Sequence, residues 1–186
     1  MGKLIVFNSI SLDGFFVDAK GDMSWAYNPI ADEEWNAFVA GNAASGGTLV
    51  FGRVTYEMMA AYWPTPAAAQ GSPEVARGIN AASKVVFSRT LRAASWNNCT
   101  VAKGDLASEI RRMKTARDGI AVLGSGTIVS QLVAQGLVDE LQCVVVPVAL
   151  GSGRTMFDGV SRAIRLKLLG SRTFHNGNVL LRYEPA

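Results

Sequence analysis

Apolar positions along this chain fall in short runs, broken by turn residues and by segments with helical spacing. Lys3 to Ile10 is dense in β-formers (Leu4, Ile5, Val6, Phe7, Ile10) and predicts a buried first strand. Ser11-Leu12-Asp13-Gly14 breaks it, Phe15 to Val17 resumes it, and turn residues from Asp18 onward predict a loop to about Pro29. Ala31 to Ala44 predicts a helix, with Asp32 as N-cap or first-turn acid and Trp35, Phe38 and Val39 on one face. Thr48 to Phe51 is a second apolar strand. Gly52-Arg53 follows at once, and Val54 to Ala61 has helical spacing with Tyr56, Met59 and Ala60 inward. Trp63 to Pro66 and Gln70 to Pro73 bracket an expected surface loop, and Ser72 with Pro73 predicts a cap and first turn of a helix ending near Ala82. Lys84 to Phe87 is a third strand, closed by Ser88-Arg89-Thr90. Leu91 to Asn98 is irregular, Cys99 to Ala102 reads as a strand, and Asp105 caps a helix through about Lys114.

The stretch from Gly119 to Asp139, GIAVLGSGTIVSQLVAQGLVD, organises what surrounds it. Ile120 to Leu123 is a buried strand and Gly124-Ser125-Gly126-Thr127 a glycine turn. An amphipathic helix with Ile128, Leu132, Val133 and Leu137 near helical spacing follows, and Gly136 ends it. A long β-run follows from Glu140 to Val148. The C-terminal part holds two β-rich runs, Ala163 to Phe174 and Val179 to Tyr183, joined through His175-Asn176-Gly177-Asn178, where Asn-Gly signals a hairpin. Strands alternating with helices, then a hairpin, predict one α/β domain over residues 1–186: a mostly parallel sheet with an antiparallel edge.

Composition narrows the class. With 49% hydrophobic and 18% charged residues the chain reads as soluble and globular. The net charge of +3 comes from scattered cations with no Lys/Arg block, so nucleic acid is not an expected partner. No apolar run approaches a membrane span, and the start lacks a signal-peptide pattern. Cys99 and Cys143, the two cysteines, match neither a disulfide framework nor a metal spacing; a reducing cytoplasm is the expected setting, and Cys143 a small core residue.

The chemistry follows by elimination. His175 is the single histidine and falls in a predicted turn, which leaves nucleophilic triads and zinc without their ligands. Neither a phosphate-binding G-x-x-x-x-G-K-[ST] loop nor a G-x-G-x-x-G after the first strand is present. What remains are three strand ends bearing small, polar and basic groups: Gly52-Arg53-Val54-Thr55, Ser88-Arg89-Thr90 and Gly124-Ser125-Gly126-Thr127. In an open α/β sheet ligands bind beyond the carboxyl ends of strands. Arginines there can fork onto phosphate, and a glycine turn at a helix start can present backbone N–H groups to pyrophosphate. The ligand implied is phosphate-rich, such as NADP, whose hydride transfer needs orientation more than a catalytic side chain.

Four segments also carry a family resemblance. LVFGRVTYEMM is similar to the Gly-Arg-x-Thr-Tyr/Trp-Glu segment of dihydrofolate reductases, and KVVFSRTL to their strand ending in Ser-Arg. AVLGSGTIVSQLVAQGLVDELQCVVVPVALGSGRTMFDG and NSISLDGFFVD resemble the reductase (C-terminal) domain of the riboflavin-biosynthesis bifunctional deaminase/reductase. The resemblance implies a dihydrofolate reductase-like three-layer α/β/α fold and an NADPH site. By it, Gly52, Arg53 and Thr55 face the cofactor's phosphates, Ser88 and Arg89 its 2′-phosphate, and Gly124, Ser125, Gly126, Thr127 and Ile128 the pyrophosphate. Ser11, Asp13 and Gly14 lie where nicotinamide meets substrate, with Asp13 or water as proton source; Trp25 is a candidate wall for a flat heterocycle. Leu123 stands where the riboflavin reductases typically carry a substrate-holding Glu, and Asn36 where dihydrofolate reductases place an acid. The expectation is therefore an NADPH-dependent reductase of a small pterin- or pyrimidine-like heterocycle or a carbonyl compound. The alternatives are the riboflavin-pathway 5-amino-6-(5-phosphoribosylamino)uracil reductase and a non-catalytic NADP(H)-binding module. By fold-level analogy a homodimer is expected, with the Leu137–Val148 run and the C-terminal hairpin as its apolar surface.

Overall fold

A computed structural model describes residues 1–116 and 118–186. The chain runs β1 (Leu4–Ser11), β2 (Phe15–Asp18), a 3-10 turn (Ser24–Ala26), α1 (Glu33–Ala44), β3 (Thr48–Gly52) and α2 (Arg53–Tyr62). Next come α3 (Pro66–Gly71), α4 (Pro73–Ala81), β4 (Ser83–Phe87), β5 (Cys99–Ala102), α5 (Leu106–Thr115), β6 (Ile120–Leu123) and α6 (Gly126–Ala134). The chain closes with β7 (Glu140–Val146), β8 (Gly153–Thr155), β9 (Leu166–Thr173) and β10 (Val179–Pro185). It divides into two compact units: Met1–Leu4 with Asn36–Ser125, and Ile5–Trp35 with Gly126–Ala186.

The first unit holds four parallel strands in the order β5-β4-β3-β6, with Lys84 opposite Cys99, Val50 opposite Val85 and Thr48 opposite Ile120. Parallel neighbours need crossovers: α2, α3 and α4 lie between β3 and β4, and the irregular 88–98 segment joins β4 to β5. Phe51, Tyr56, Met59, Val75, Ile79, Val86 and Trp96 form its core. Phe51 stacks on Trp96 at 6.1 Å between ring centres, and the Tyr56 hydroxyl accepts the backbone N–H groups of Ser95 and Trp96. The irregular Leu91–Asn98 segment is thereby tied down by the helix it crosses.

Lys84 is buried in a strand, which its sequence position did not announce. Its ammonium donates to the carbonyls of Asn80, Ala82 and Asn97 at 2.7–3.2 Å and lies 4.6 Å from the Trp96 ring centre. Three carbonyl acceptors match its three donors, which is what lets a cation sit there, although burial pushes its pKa below the usual lysine value.

The loop expected from Trp63 to Pro73 is instead interrupted by α3. The Thr65 hydroxyl accepts from the Ala68 N–H at its start, Pro66 supplies the fixed φ of a first helical turn, and Ala68 is fully buried. Ser72 does occupy the N-cap of α4, but its side chain makes no capping bond. Asp105 caps α5 as expected, its carboxylate accepting from the Ser108 N–H.

The second unit has the order β1-β7-β10-β9: β1 and β7 run parallel, and β10 is antiparallel to both β7 and β9. Asn-Gly makes the expected β9–β10 turn, and His175 is exposed there. Residues 15–17 do not resume β1. They form β2, which pairs antiparallel with β8 in a separate two-stranded ribbon. Only glycine serves at 153, because a Cβ there would stand 2.1 Å from the Val17 carbonyl oxygen. The result is a mixed α/β protein with a mostly parallel sheet and an antiparallel edge pair. Cys143 is buried on β7, and burial pushes its thiol up to about 11, as suits an inert core residue.

Candidate functional site

Because β4, β3 and β6 are parallel neighbours, their carboxyl ends emerge side by side on one edge of the first unit. The three strand-end clusters are therefore adjacent, and two of them touch. Ser125 Oγ accepts the Gly52 N–H at 2.7 Å, and the Thr55 hydroxyl accepts the Ser125 N–H at 3.0 Å. Ser125 adopts φ 59° and Gly124 φ 60°, a left-handed pair that turns the chain back over α2. A Cβ on Gly124 would come within 2.7 Å of Thr55 Cγ2, so glycine is needed for contact as well as for φ.

These bonds change the roles expected of the turn. Thr55 and Ser125 are both buried, and Thr55 Oγ1, Ser125 Oγ and the Ser125 N–H bond within the protein; they brace the turn. Ser88 is buried too, its hydroxyl accepting the N–H groups of Thr90 and Leu91, so it shapes the turn that presents Arg89. Arg89 is exposed and makes no ion pair among the described residues. Arg53 is exposed at the start of α2, 2.7 Å from Glu57. That is a surface i,i+4 pair, worth a few tenths of a kcal/mol (about 0.3–0.5) and readily exchanged for a phosphate. The first turn of α2 has no acidic residue, and Gly52 at its N-cap offers no side chain, so the positive end of that helix is left to other partners.

Gly126, Thr127 and Ile128 begin α6 in the second unit. Ile128 is a core side chain at 7% exposure, Thr127 is exposed with its carbonyl accepting from Gln131, and a Cβ on Gly126 would stand 3.3 Å from the Phe16 ring. Any ligand contact from Ile128 is left to its backbone.

Elsewhere in the second unit Ser11 and Asp13 form one hydrogen-bonded group. The buried Ser11 hydroxyl donates to Asp13 at 2.6 Å and accepts the Phe15 N–H at 2.9 Å. The carboxylate also accepts the N–H groups of Leu150 and Gly151, at 3.1 and 2.7 Å. The Ser11 donor and these backbone amides hold its pKa at about 2. A carboxylate so held carries no proton at neutral pH, and its acceptor sites clamp the residue 148–151 segment. Trp25 is half-buried, and its indole N–H donates to the Asp22 carbonyl at 3.1 Å rather than to the Ser11–Asp13 group.

Sequence reasoning missed Leu150 and Gly151 as partners of Asp13, since nothing local links positions so far apart. It also missed the buried polar group around Asp32. There the carboxylate accepts the Trp35 N–H as the expected cap, and also the Asn176 N–H at 3.0 Å, while Asn28 donates to the Asn176 carbonyl.

Comparison with solved structures defines the class. A protein from Shewanella sp. PV-4 named for riboflavin biosynthesis superposes with a TM-score of 0.75 at 20% identity, over 99% of each chain. The dihydrofolate reductase of Enterococcus faecalis, solved with NADP(H), superposes with a TM-score of 0.63 at 15% identity, over 99% of this chain and 96% of that one. The fold is dihydrofolate reductase-like. Within that class, residues 2–180 match the RibD C-terminal domain, and the chain belongs to this family. It is also 26% identical over 183 residues to the Uncharacterized protein YyaP of Bacillus subtilis (strain 168), covering 98% of this chain and 94% of that one. Among the described residues no helix is long and apolar enough to cross a membrane, and no cluster of metal-ligating side chains occurs.

Proposed function

We propose that this protein is an NADPH-dependent reductase of a small heterocyclic (pterin- or pyrimidine-like) or carbonyl substrate. The observation that carries the proposal is the convergence of Gly52-Arg53, Ser88-Arg89 and Gly124-Ser125 on one edge of three adjacent parallel strands. The donor set fits a dinucleotide phosphate: Arg89 without an acid, Arg53 with only a surface one, and the α2 N-terminus free of acidic residues. NADPH would supply the hydride. The protein supplies binding and orientation, with Arg89 on the 2′-phosphate and Arg53 and the α2 start on the other phosphates. Thr55 and Ser125 keep the Gly124 turn in shape. In the second unit, the Ser11–Gly14 turn and Trp25 are assigned to the substrate. With Asp13 held as a carboxylate, water is the proton source.

Titration with NADPH and NADH, followed by intrinsic tryptophan fluorescence, tests the cofactor. NADPH binds more tightly than NADH, and Arg89→Ala weakens NADPH roughly 10- to 100-fold, the worth of one charge-assisted phosphate contact, while leaving NADH nearly unchanged. No binding of either nucleotide overturns the proposal. Membership of the RibD C-terminal domain family favours a second reading, the reductase of the ribosylated aminouracil in the riboflavin pathway. Turnover of that phosphorylated substrate, despite Leu123, would establish it. NADPH binding without oxidation across a panel of pterins, pyrimidines and carbonyl compounds would instead point to a binding module.

A further inference from the structure

The fourth parallel strand of the first unit brings to the strand-end edge a residue that spacing along the chain does not suggest. β5 lies beside β4, with Val86 opposite Val101 and Phe87 opposite Ala102. The ladder runs one step further, because the Ser88 N–H donates to the Ala102 carbonyl at 3.3 Å. Ser88 and Lys103 therefore leave the sheet as neighbours, roughly one strand spacing (about 4.8 Å) apart. Residues paired across strands share a face, which places Lys103 on the face of Ser88. The Ser88 hydroxyl accepts the N–H groups of Thr90 and Leu91, and so closes the Arg89 turn about the side chain whose face Lys103 shares. Lys103 and Arg89 are both exposed, and neither makes an ion pair among the described residues. The acids nearest to Lys103 in sequence are engaged elsewhere. Asp105 accepts from the Ser108 N–H and hydroxyl, and Glu109, beside Gly104, is held by two donors of Arg112. Two free cations are thus left at the carboxyl ends of adjacent strands.

Like charges held side by side repel, and a ligand bearing two negative charges offsets both. A phosphomonoester carries about −1.5 to −2 at neutral pH, whereas a phosphate within a pyrophosphate linkage carries a single charge. We propose that Lys103 is the second cation on the 2′-phosphate of NADPH, beside Arg89, and that the two together set a preference for NADPH over NADH. This rests on the cofactor reading above and adds to it a residue and a charge requirement. The strand order β5-β4-β3 puts Arg53 on the other side of Arg89 from Lys103, at the end of β3 and beside its own Glu57, in keeping with a separate phosphate for Arg53. Arg89 supplies a planar fork and Lys103 a point charge with three donors, so the lysine's contribution lies in its charge more than in its geometry.

Calorimetric titration with NADPH, NADH, adenosine 2′,5′-bisphosphate and 5′-AMP tests this. Lys103→Ala weakens NADPH and the bisphosphate roughly tenfold, as expected for one charge-assisted contact, and leaves NADH and 5′-AMP unchanged. Lys103→Arg keeps the charge and most of the preference, while Arg89→Ala/Lys103→Ala binds NADPH no more tightly than NADH. Arg77→Ala, which removes an equal charge from an exposed position on α4, changes neither dinucleotide. Lys103 is exposed, so Tm stays at the wild-type value and a lost preference is not a folding defect. In wild type the preference shrinks below about pH 6, where the 2′-phosphate gains a proton. NADPH binding by Lys103→Ala at wild-type strength, or NADH weakened in step with NADPH, overturns this inference and leaves the cofactor reading standing. A wild type that binds neither dinucleotide overturns both.

Discussion

The two units use the same kinds of residue in opposite ways. In the first, every strand points the same way, so each strand's carboxyl end delivers its turn to one edge, and small polar and basic residues far apart in sequence become neighbours. In the second, β10 runs against β7 and β9, and the strand ends are dispersed. Its most constrained polar group, Ser11–Asp13, grips backbone amides of the 148–151 segment. It also ends in an open edge, which the parallel half of the chain does not present with exposed leucines. Parallel topology gathers ligand-binding candidates on one edge, whereas the antiparallel strands disperse theirs.

The largest expected effect lies in the first unit's core. Phe51→Ala removes a fully buried ring stacked on Trp96 and destabilises the protein by about 3–5 kcal/mol. Native-state hydrogen exchange sharpens the comparison, since the amides of β3 and β4 should lose protection before those of β7 and β10. Equal loss in both halves would mean that the units unfold as one cooperative body.

Gly124→Ala comes next. The new Cβ meets Thr55 and sits at φ 60°, costing about 1–3 kcal/mol, and it disturbs the turn braced by Ser125. Weakened NADPH binding with a modest drop in Tm is the expected pair of results. Binding at wild-type strength would separate this turn from the cofactor site.

The smallest effect is electrostatic and belongs to the second unit. Asp13 has its pKa lowered from 3.8 to about 2 by the Ser11 hydroxyl and the Gly151 and Leu150 amides. A depressed carboxylate adds stability above its unfolded value and loses it as pH falls from about 3.8 toward 2. Thermal melts of wild type and Asp13→Asn should therefore differ at neutral pH and converge as the solution is acidified through that window. A difference that stays constant across the window would rule out the carboxylate clamp.

The local elements were legible because they rest on local physics. Hydrophobic runs located β1, β3, β4 and β6; Asp105 and Asp32 announced helix starts, and Asn-Gly the hairpin. The α3 helix was hidden by its prolines and glycine, which read as loop until Thr65 caps the turn and Ala68 is buried. The glycine turn at 124 was also visible, but the identity of its internal partners was not.

The sequence by itself determined the alternation of strands and helices, the family and the residue types at each strand end, because periodicity and turn chemistry act over a few residues. Tertiary structure alone decided which of those residues are spent inside the protein. Thr55, Ser88 and Ser125 turn inward, and the Asp13 carboxylate accepts from the Ser11 hydroxyl and from amides more than a hundred residues away. Hydrogen-bond donors and acceptors find partners wherever topology brings them together, and spacing along a chain does not contain that information.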